Sequence, residues 1–139
     1  LSKSSDPRVA EIAMKSAKEV AYHVERSRDT VVALGDGTSE SHDRMQTALT
    51  LLWPFALEMF VTDEVDIEIN KTGLARTPDS LRDAWLAQIK ETMTDATLDI
   101  PEDSFAHKGG KSGVRHTEHL GHILAGMQFL QRAYPGANW

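Results

Sequence analysis

The first stretch of the chain carries its apolar residues at the spacing of one helical stripe. Asp6 followed by Pro7 is a favourable helix start, an N-cap residue with proline at the first helical position. The glycines at 35 and 37 end the pattern after Leu34. The stripe consists of Val9, Ile12, Ala13, Ala17, Val20, Val24, Val31 and Leu34. The pattern predicts a first helix over residues 7–34.

A second helix is predicted to start at Ser39, which can act as its cap, with acidic residues in its first turn. One face would carry Met45, Ala48, Leu49, Leu52, Ala56 and Phe60. Leu51, Trp53, Phe55 and Leu57 fall on other faces, so we expect this helix to be buried on more than one side. Pro54 cannot donate to the carbonyl of Thr50, which predicts a kink.

Residues 63–69 alternate acidic and aliphatic side chains, but no second strand is evident to pair with them. The sequence therefore favours an extended connector there. Thr77 and Pro78 mark the start of a third helix that runs to about Leu98. Its predicted face comprises Leu81, Trp85, Gln88, Ile89, Thr92 and Met93.

Residues 101–113 read as a loop whose glycine-rich part, residues 108–113, should be the most mobile. A final helix is predicted over residues 115–133. Its face would carry Leu120, Ile123, Leu124, Met127, Leu130 and Tyr134. We expect this helix to be buried, either within the domain or against a second chain. The whole pattern predicts an all-α protein with about four helices.

Composition adds three restrictions. A length of 139 residues fits one domain, residues 1–139, and 40% hydrophobic residues can form a core. A net charge of -6 argues against nucleic acid as a partner, because phosphate binding needs a basic face. The absence of cysteine excludes disulfides and thiolate metal sites. With no signal peptide and no apolar stretch long enough to span a bilayer, we expect a cytoplasmic protein with no membrane contact.

Two segments near the C-terminus resemble reactive motifs without matching them. Gly110, Lys111 and Ser112 look like the end of a phosphate-binding loop, but the first glycine of that motif is replaced by Phe105. The run from Arg115 to His119 fits neither zinc-protease pattern. A flexible loop is the favoured interpretation of the first segment, and a core histidine at His116 that of the second.

Glu19 and His23 in the first helix are the most serious metal candidates. Di-iron carboxylate bundles use Glu and His three residues apart on two helices, with one further Glu on each of two others. Here the spacing is four residues, and Glu58 is the one other acid considered as a partner. One histidine and two glutamates do not complete such a site. We therefore predict no metal and no bound cofactor, and interpret the three residues as a structural or relict group.

An ordered set of motifs nevertheless resembles the C-terminal part of the C subunits of phenylacetyl-CoA epoxidases, in the phenylacetic acid catabolic protein family. The resemblance covers essentially the whole chain and is most specific from His116 to Trp139. It rests on the segments Glu19–His23, Leu52–Trp53, Glu58–Phe60, Asp63–Ile67, Leu81–Trp85, Ala96–Leu98, His116–Gly121, Met127–Arg132 and Pro135–Trp139.

The resemblance implies a ferritin-like helix bundle and a non-catalytic subunit of a multicomponent oxygenase. It implies pairing with a paralogous catalytic subunit that holds a di-iron centre, in a homo- or hetero-oligomer that binds phenylacetyl-CoA. It also implies that further helices precede Leu1 in the complete protein, so we expect this chain to be a fragment of the bundle. Two alternatives stay open. The chain could belong to a di-iron oxygenase in its own right, with its remaining ligands on an absent N-terminal segment, or to an unrelated helical adaptor.

Overall fold

The computed structural model of the protein describes residues 1–102 and 107–138. It forms two compact units, Leu1–Ala106 and His107–Trp139. All the regular elements in the described residues are helical, which confirms the all-α prediction. They comprise six α-helices rather than about four. That residues 1–139 are the C-terminal part of a single ferritin-like helical domain stays a prediction.

The α-helices of the first unit are α1 (Pro7–Gly35), α2 (Ser39–Ala56), α3 (Glu64–Lys71) and α4 (Arg82–Asp95). Single 3-10 turns precede and follow the α3 region, at Leu57–Phe60 and Pro78–Leu81. The second unit contains α5 (Glu118–Met127) and α6 (Phe129–Ala133).

Helix α1 follows the sequence prediction at both ends. The Asp6 carboxylate accepts hydrogen bonds from the backbone N–H of Arg8 at 2.8 Å and of Val9 at 3.1 Å. These bonds satisfy donors that a helix start otherwise leaves without partners. The helix ends at Gly35, one residue beyond the predicted end.

Helix α2 is capped by Thr38, so the prediction of Ser39 as the cap was wrong. The Thr38 hydroxyl accepts a hydrogen bond from the N–H of Ser41 at 3.2 Å, and Ser39 is already the first helical residue. The α-helix ends at Ala56, two residues after Pro54, and the chain continues as a 3-10 turn. The kink at Pro54 stays a prediction.

The first unit by itself covers α2 on one face only, so burial of α2 on more than one side stays a prediction. Trp53 is its one buried residue, whereas Leu51 and Leu52 are 66% and 65% exposed. Met45 and Leu49 are half-buried and pack on the core. The elements present in the first unit therefore cover one face of α2 and leave its other apolar side chains accessible.

Helix α3 (Glu64–Lys71), with Asp63 as its N-cap, occupies this segment, which corrects the predicted extended connector. The Asp63 carboxylate accepts from the N–H of Asp66 at 2.9 Å, and the Asp66 carboxylate accepts from the N–H of Asp63 at 3.0 Å. This reciprocal capping box satisfies the helix start locally. Within residues 1–102 and 107–138 no strand pairs with this segment, so its extended conformation gains no stabilising hydrogen bonds and the helix is favoured.

Helix α4 begins after the 3-10 turn at Pro78–Leu81 and ends at Asp95, three residues before the predicted end. Thr97 has a positive φ of 57°, and the N–H of Leu98 donates to the carbonyl of Met93 at 2.9 Å. This is the Schellman arrangement, with Thr97 where glycine is usual. The turn directs Leu98 back into the core.

The core of the first unit is small and centres on the end of α4. Met93, Ala96 and Leu98 are buried there. The half-buried apolar side chains packed against them are Val31, Val32, Met45, Leu49, Ile89 and Ile100. The core therefore joins the C-terminal end of α1, the middle of α2, and the C-terminal part of α4.

The second unit differs from the single helix predicted over residues 115–133. The N–H groups of Val114 and Arg115 both donate to the carbonyl of Gly109 at 2.9 Å, which holds Arg115 in the loop, and α5 starts at Glu118. Gln128 separates α5 from α6, although the N–H of Gln128 still donates to the carbonyl of Leu124 at 2.9 Å. The predicted mobility of the preceding loop is not tested, and its residues 103–106 lie outside the described residues.

The last helix was predicted to be buried, either within the domain or against a second chain, and its own unit leaves most of its apolar side chains uncovered. Ile123 is 56% exposed, Met127 is 73% exposed and Tyr134 is 60% exposed. Burial against the rest of the chain or against another chain stays a prediction.

Candidate functional site

An apolar groove of about 500 Å³ runs between α1 and α4. The helical stripes predicted for these two segments face each other across it. Met93 in the groove is buried, whereas Val20 and Val24 are 56% and 52% exposed, so the groove is open to solvent along α1. Its lining comprises Val20, His23, Val24, Ser27, Arg28, Val31, Trp85, Gln88, Ile89, Glu91, Thr92 and Met93.

Trp85 fixes one wall of the groove through aromatic contacts. Its ring stacks on Trp53 of α2 with a centroid distance of 5.9 Å and an interplanar angle of 28°. It also contacts Phe60 at 5.1 Å with the rings tilted by 52°. Such pairs add about 0.5–1.5 kcal/mol each beyond the area they bury. The three rings hold α4 against α2 and the turn that follows it.

The charges in the groove are partly neutralised by pairing. The guanidinium of Arg28 is ion-paired with the Asp95 carboxylate. It also lies 3.8 Å from the Asp29 carboxylate. Because both partners of the Arg28–Asp95 pair are about two-fifths exposed, screening limits its contribution to about 1 kcal/mol or less. The groove is therefore suited to packing against apolar groups, with the pair at its rim fixing α1 relative to the end of α4.

The close approach of Gly35 to Ala96 holds the ends of α1 and α4 together. A Cβ atom at Gly35 would lie 2.4 Å from the carbonyl oxygen of Ala96 and 2.8 Å from its Cβ. Gly35 is buried and Ala96 is 0% exposed. No larger residue fits at position 35 without moving the backbone.

A histidine and a threonine complete this junction. His42 Nδ1 lies 2.8 Å from the carbonyl oxygen of Gly35 and therefore carries the proton, since a carbonyl can only accept. The Thr97 hydroxyl donates to the same oxygen at 3.3 Å. The Gly35 carbonyl is at the end of α1, where no N–H of the helix can donate to it, so these two bonds supply its partners.

The groups at this junction were not identified from the sequence. Thr97 is 55 residues from His42 and 62 residues from Gly35 in the sequence. Neither periodicity nor a local motif connects them. The one available signal was Gly35 itself, which the sequence marked only as a helix end.

The metal candidates are placed on different elements. Glu19 and His23 are both exposed on α1, where His23 lines the groove and packs edge-on against Tyr22 at 5.8 Å. Glu58 is half-buried in the 3-10 turn after α2. Across residues 1–102 and 107–138, no three His, Cys, Asp or Glu side chains lie close enough together to hold a metal ion. That Glu19, His23 and Glu58 bind no metal stays a prediction.

Of the histidines in and just before α5, His116 departs from its predicted position. His116 precedes α5 and is exposed, so the interpretation of it as a core histidine was wrong. The reason is the late start of the helix, which removes His116 from the apolar face. His119 and His122 are exposed on α5.

The pKa of the Asp79 carboxyl group is displaced from its usual value. The hydroxyl of Thr62 donates to the Asp79 carboxylate at 2.6 Å. This bond, with a smaller contribution from Thr77, lowers the pKa of Asp79 below its usual value because it favours the charged form. The bond also ties the segment before α3 to the 3-10 turn that precedes α4.

Comparison with known proteins identifies the family. The model of the phenylacetic acid catabolic protein family matches residues 1–139. This chain belongs to the phenylacetic acid catabolic protein family. It is 45% identical, over all 139 of its residues, to the C subunit of the 1,2-phenylacetyl-CoA epoxidase of Escherichia coli (strain K12).

The chain spans 56% of the length of that Escherichia coli relative. Family membership and the helical architecture agree with the ferritin-like bundle that the sequence implied. In the described ranges of this family member, no helix has the length and apolar character needed to cross a membrane.

Proposed function

We propose that this chain is a non-catalytic, structural part of a subunit of a multicomponent oxygenase that epoxidises the aromatic ring of phenylacetyl-CoA in phenylacetate degradation. The observation that carries the proposal is the 45% identity to the C subunit of the Escherichia coli epoxidase over all 139 residues. A match of this extent covers both units of the chain, including the region around the groove and the whole of α5 and α6.

The proposed partner is the catalytic di-iron subunit of the same complex. Support comes from the apolar side chains that the first unit leaves accessible. Of its residues that the structure describes, four apolar ones are buried, namely Trp53, Met93, Ala96 and Leu98. Ile12, Val20 and Leu52 are each more than half exposed. Apolar surface of this kind is typical of chains that function in an assembly.

The placement of the metal candidates supports this division of roles. Di-iron bundles draw their ligands from four helices that all project inward to one point. Glu19 and His23 share one helix, and both are exposed. In the proposed complex the catalytic subunit holds the iron and the complex as a whole binds phenylacetyl-CoA. This chain contributes packing surface, supports substrate binding and carries no cofactor.

Co-expression with the catalytic subunit tests this function. A tag on this chain should recover the catalytic subunit at equal stoichiometry, and consumption of phenylacetyl-CoA with the cognate reductant should need both proteins. Epoxidation by this chain alone, supplied with ferrous iron and reductant, would instead establish the alternative of an independent di-iron oxygenase. Failure to recover the catalytic subunit, with the chain folded by circular dichroism, would favour the unrelated adaptor.

A further inference from the structure

We draw no further inference here: the strongest candidate, the open apolar groove between α1 and α4 around Val20, Val24 and Trp85, is an unpartnered helical face, and nothing in the structure shows what covers it.

Discussion

The side-chain amide of Gln46 makes a pair of hydrogen bonds with the backbone of Asp99. Its Nε2 donates to the Asp99 carbonyl oxygen at 2.8 Å, and its Oε1 accepts from the Asp99 N–H at 2.9 Å. The amide thus pairs with the chain as a neighbouring strand would. Since Leu98 and Ile100 on either side pack into the core, this pair fixes the segment that follows α4 against α2.

Replacing Gln46 should therefore destabilise the first unit. Gln46→Ala removes both bonds and should lower the free energy of unfolding by about 1–3 kcal/mol. Gln88→Ala is the matched control, because Gln88 lies on the exposed wall of the groove, and it should change stability by less than about 0.5 kcal/mol. Urea denaturation followed by circular dichroism measures both. Equal losses in the two variants would show that the Gln46–Asp99 pair does not stabilise the fold.

A Gln46→Glu variant separates the two bonds of that pair. An ionised carboxylate still accepts from the Asp99 N–H but faces the Asp99 carbonyl with no proton to donate. The variant should therefore lose more stability, relative to the parent, at pH 7 than at a pH below the glutamate pKa. A loss that does not change with pH would contradict this geometry.

Gly35 should be intolerant of any side chain. Gly35→Ala places a Cβ against backbone and side-chain atoms of Ala96, so relief requires α1 and α4 to move apart, at a cost of about 1–3 kcal/mol. Gly121→Ala is the control within a helix, since nothing lies within 4 Å of a Cβ there. Alanine should stabilise α5 by up to about 1 kcal/mol.

Urea denaturation measures the loss of stability in Gly35→Ala, and amide hydrogen exchange in α5 measures the gain in Gly121→Ala. A neutral Gly35→Ala substitution would mean that the two helix ends are farther apart than the structure has them.

Thr62→Val should raise the pKa of Asp79 toward its ordinary value, because the hydroxyl that favours the charged form is lost. The sign for stability follows from linkage. A carboxyl whose pKa is lower in the folded state contributes stability above its unfolded pKa, and this is lost as pH falls through the folded pKa. The variant should therefore lose stability at neutral pH and converge with the parent in acid. Carboxyl NMR titration checks the pKa, and an unchanged Asp79 titration in Thr62→Val would refute the assignment.

The apolar face of α5 should contribute more to assembly than to the fold of the chain alone. Replacing a fully buried leucine with alanine lowers the free energy of unfolding by about 2–5 kcal/mol. Leu124 is 37% exposed, so Leu124→Ala should lower it by less. Burial against another chain predicts that Leu124→Ala weakens recovery of the catalytic subunit, whereas Glu118→Ala does not. Thermal denaturation and a pull-down of both variants decide this. Equal recovery with the two variants would show that this face does not contact the partner.

Local signals in the sequence predicted the elements that local interactions determine. Asp6 and Pro7 fixed the start of α1, and the stripes containing Val24 and Ile89 were placed on the helix faces that now line the groove. Residues 63–69 were predicted as an extended connector because their alternating pattern drew attention away from the capping box of Asp63 and Asp66, which is itself a local signal.

Long-range relationships could not be predicted in this way. Gln46 and Asp99 are 53 residues apart, and their pairing depends on the return of the chain at Thr97. Similarly, the helical stripe around Leu124 predicted an apolar face but not whether another element covers it. Periodicity reports which side chains share a face, whereas burial depends on the neighbours that tertiary or quaternary packing supplies.

Iron analysis of the assembled complex tests the central claim, that this chain contributes structure and no metal site. Glu19→Gln and His23→Gln keep the size and polarity of two exposed side chains while removing their ability to serve as the proposed relict ligands. The account predicts that the complex with either variant keeps the iron content and the phenylacetyl-CoA turnover of the parent, and that the isolated chain holds no stoichiometric iron or zinc. Metal bound to the isolated chain and lost in His23→Gln, together with loss of turnover in the complex, would contradict it.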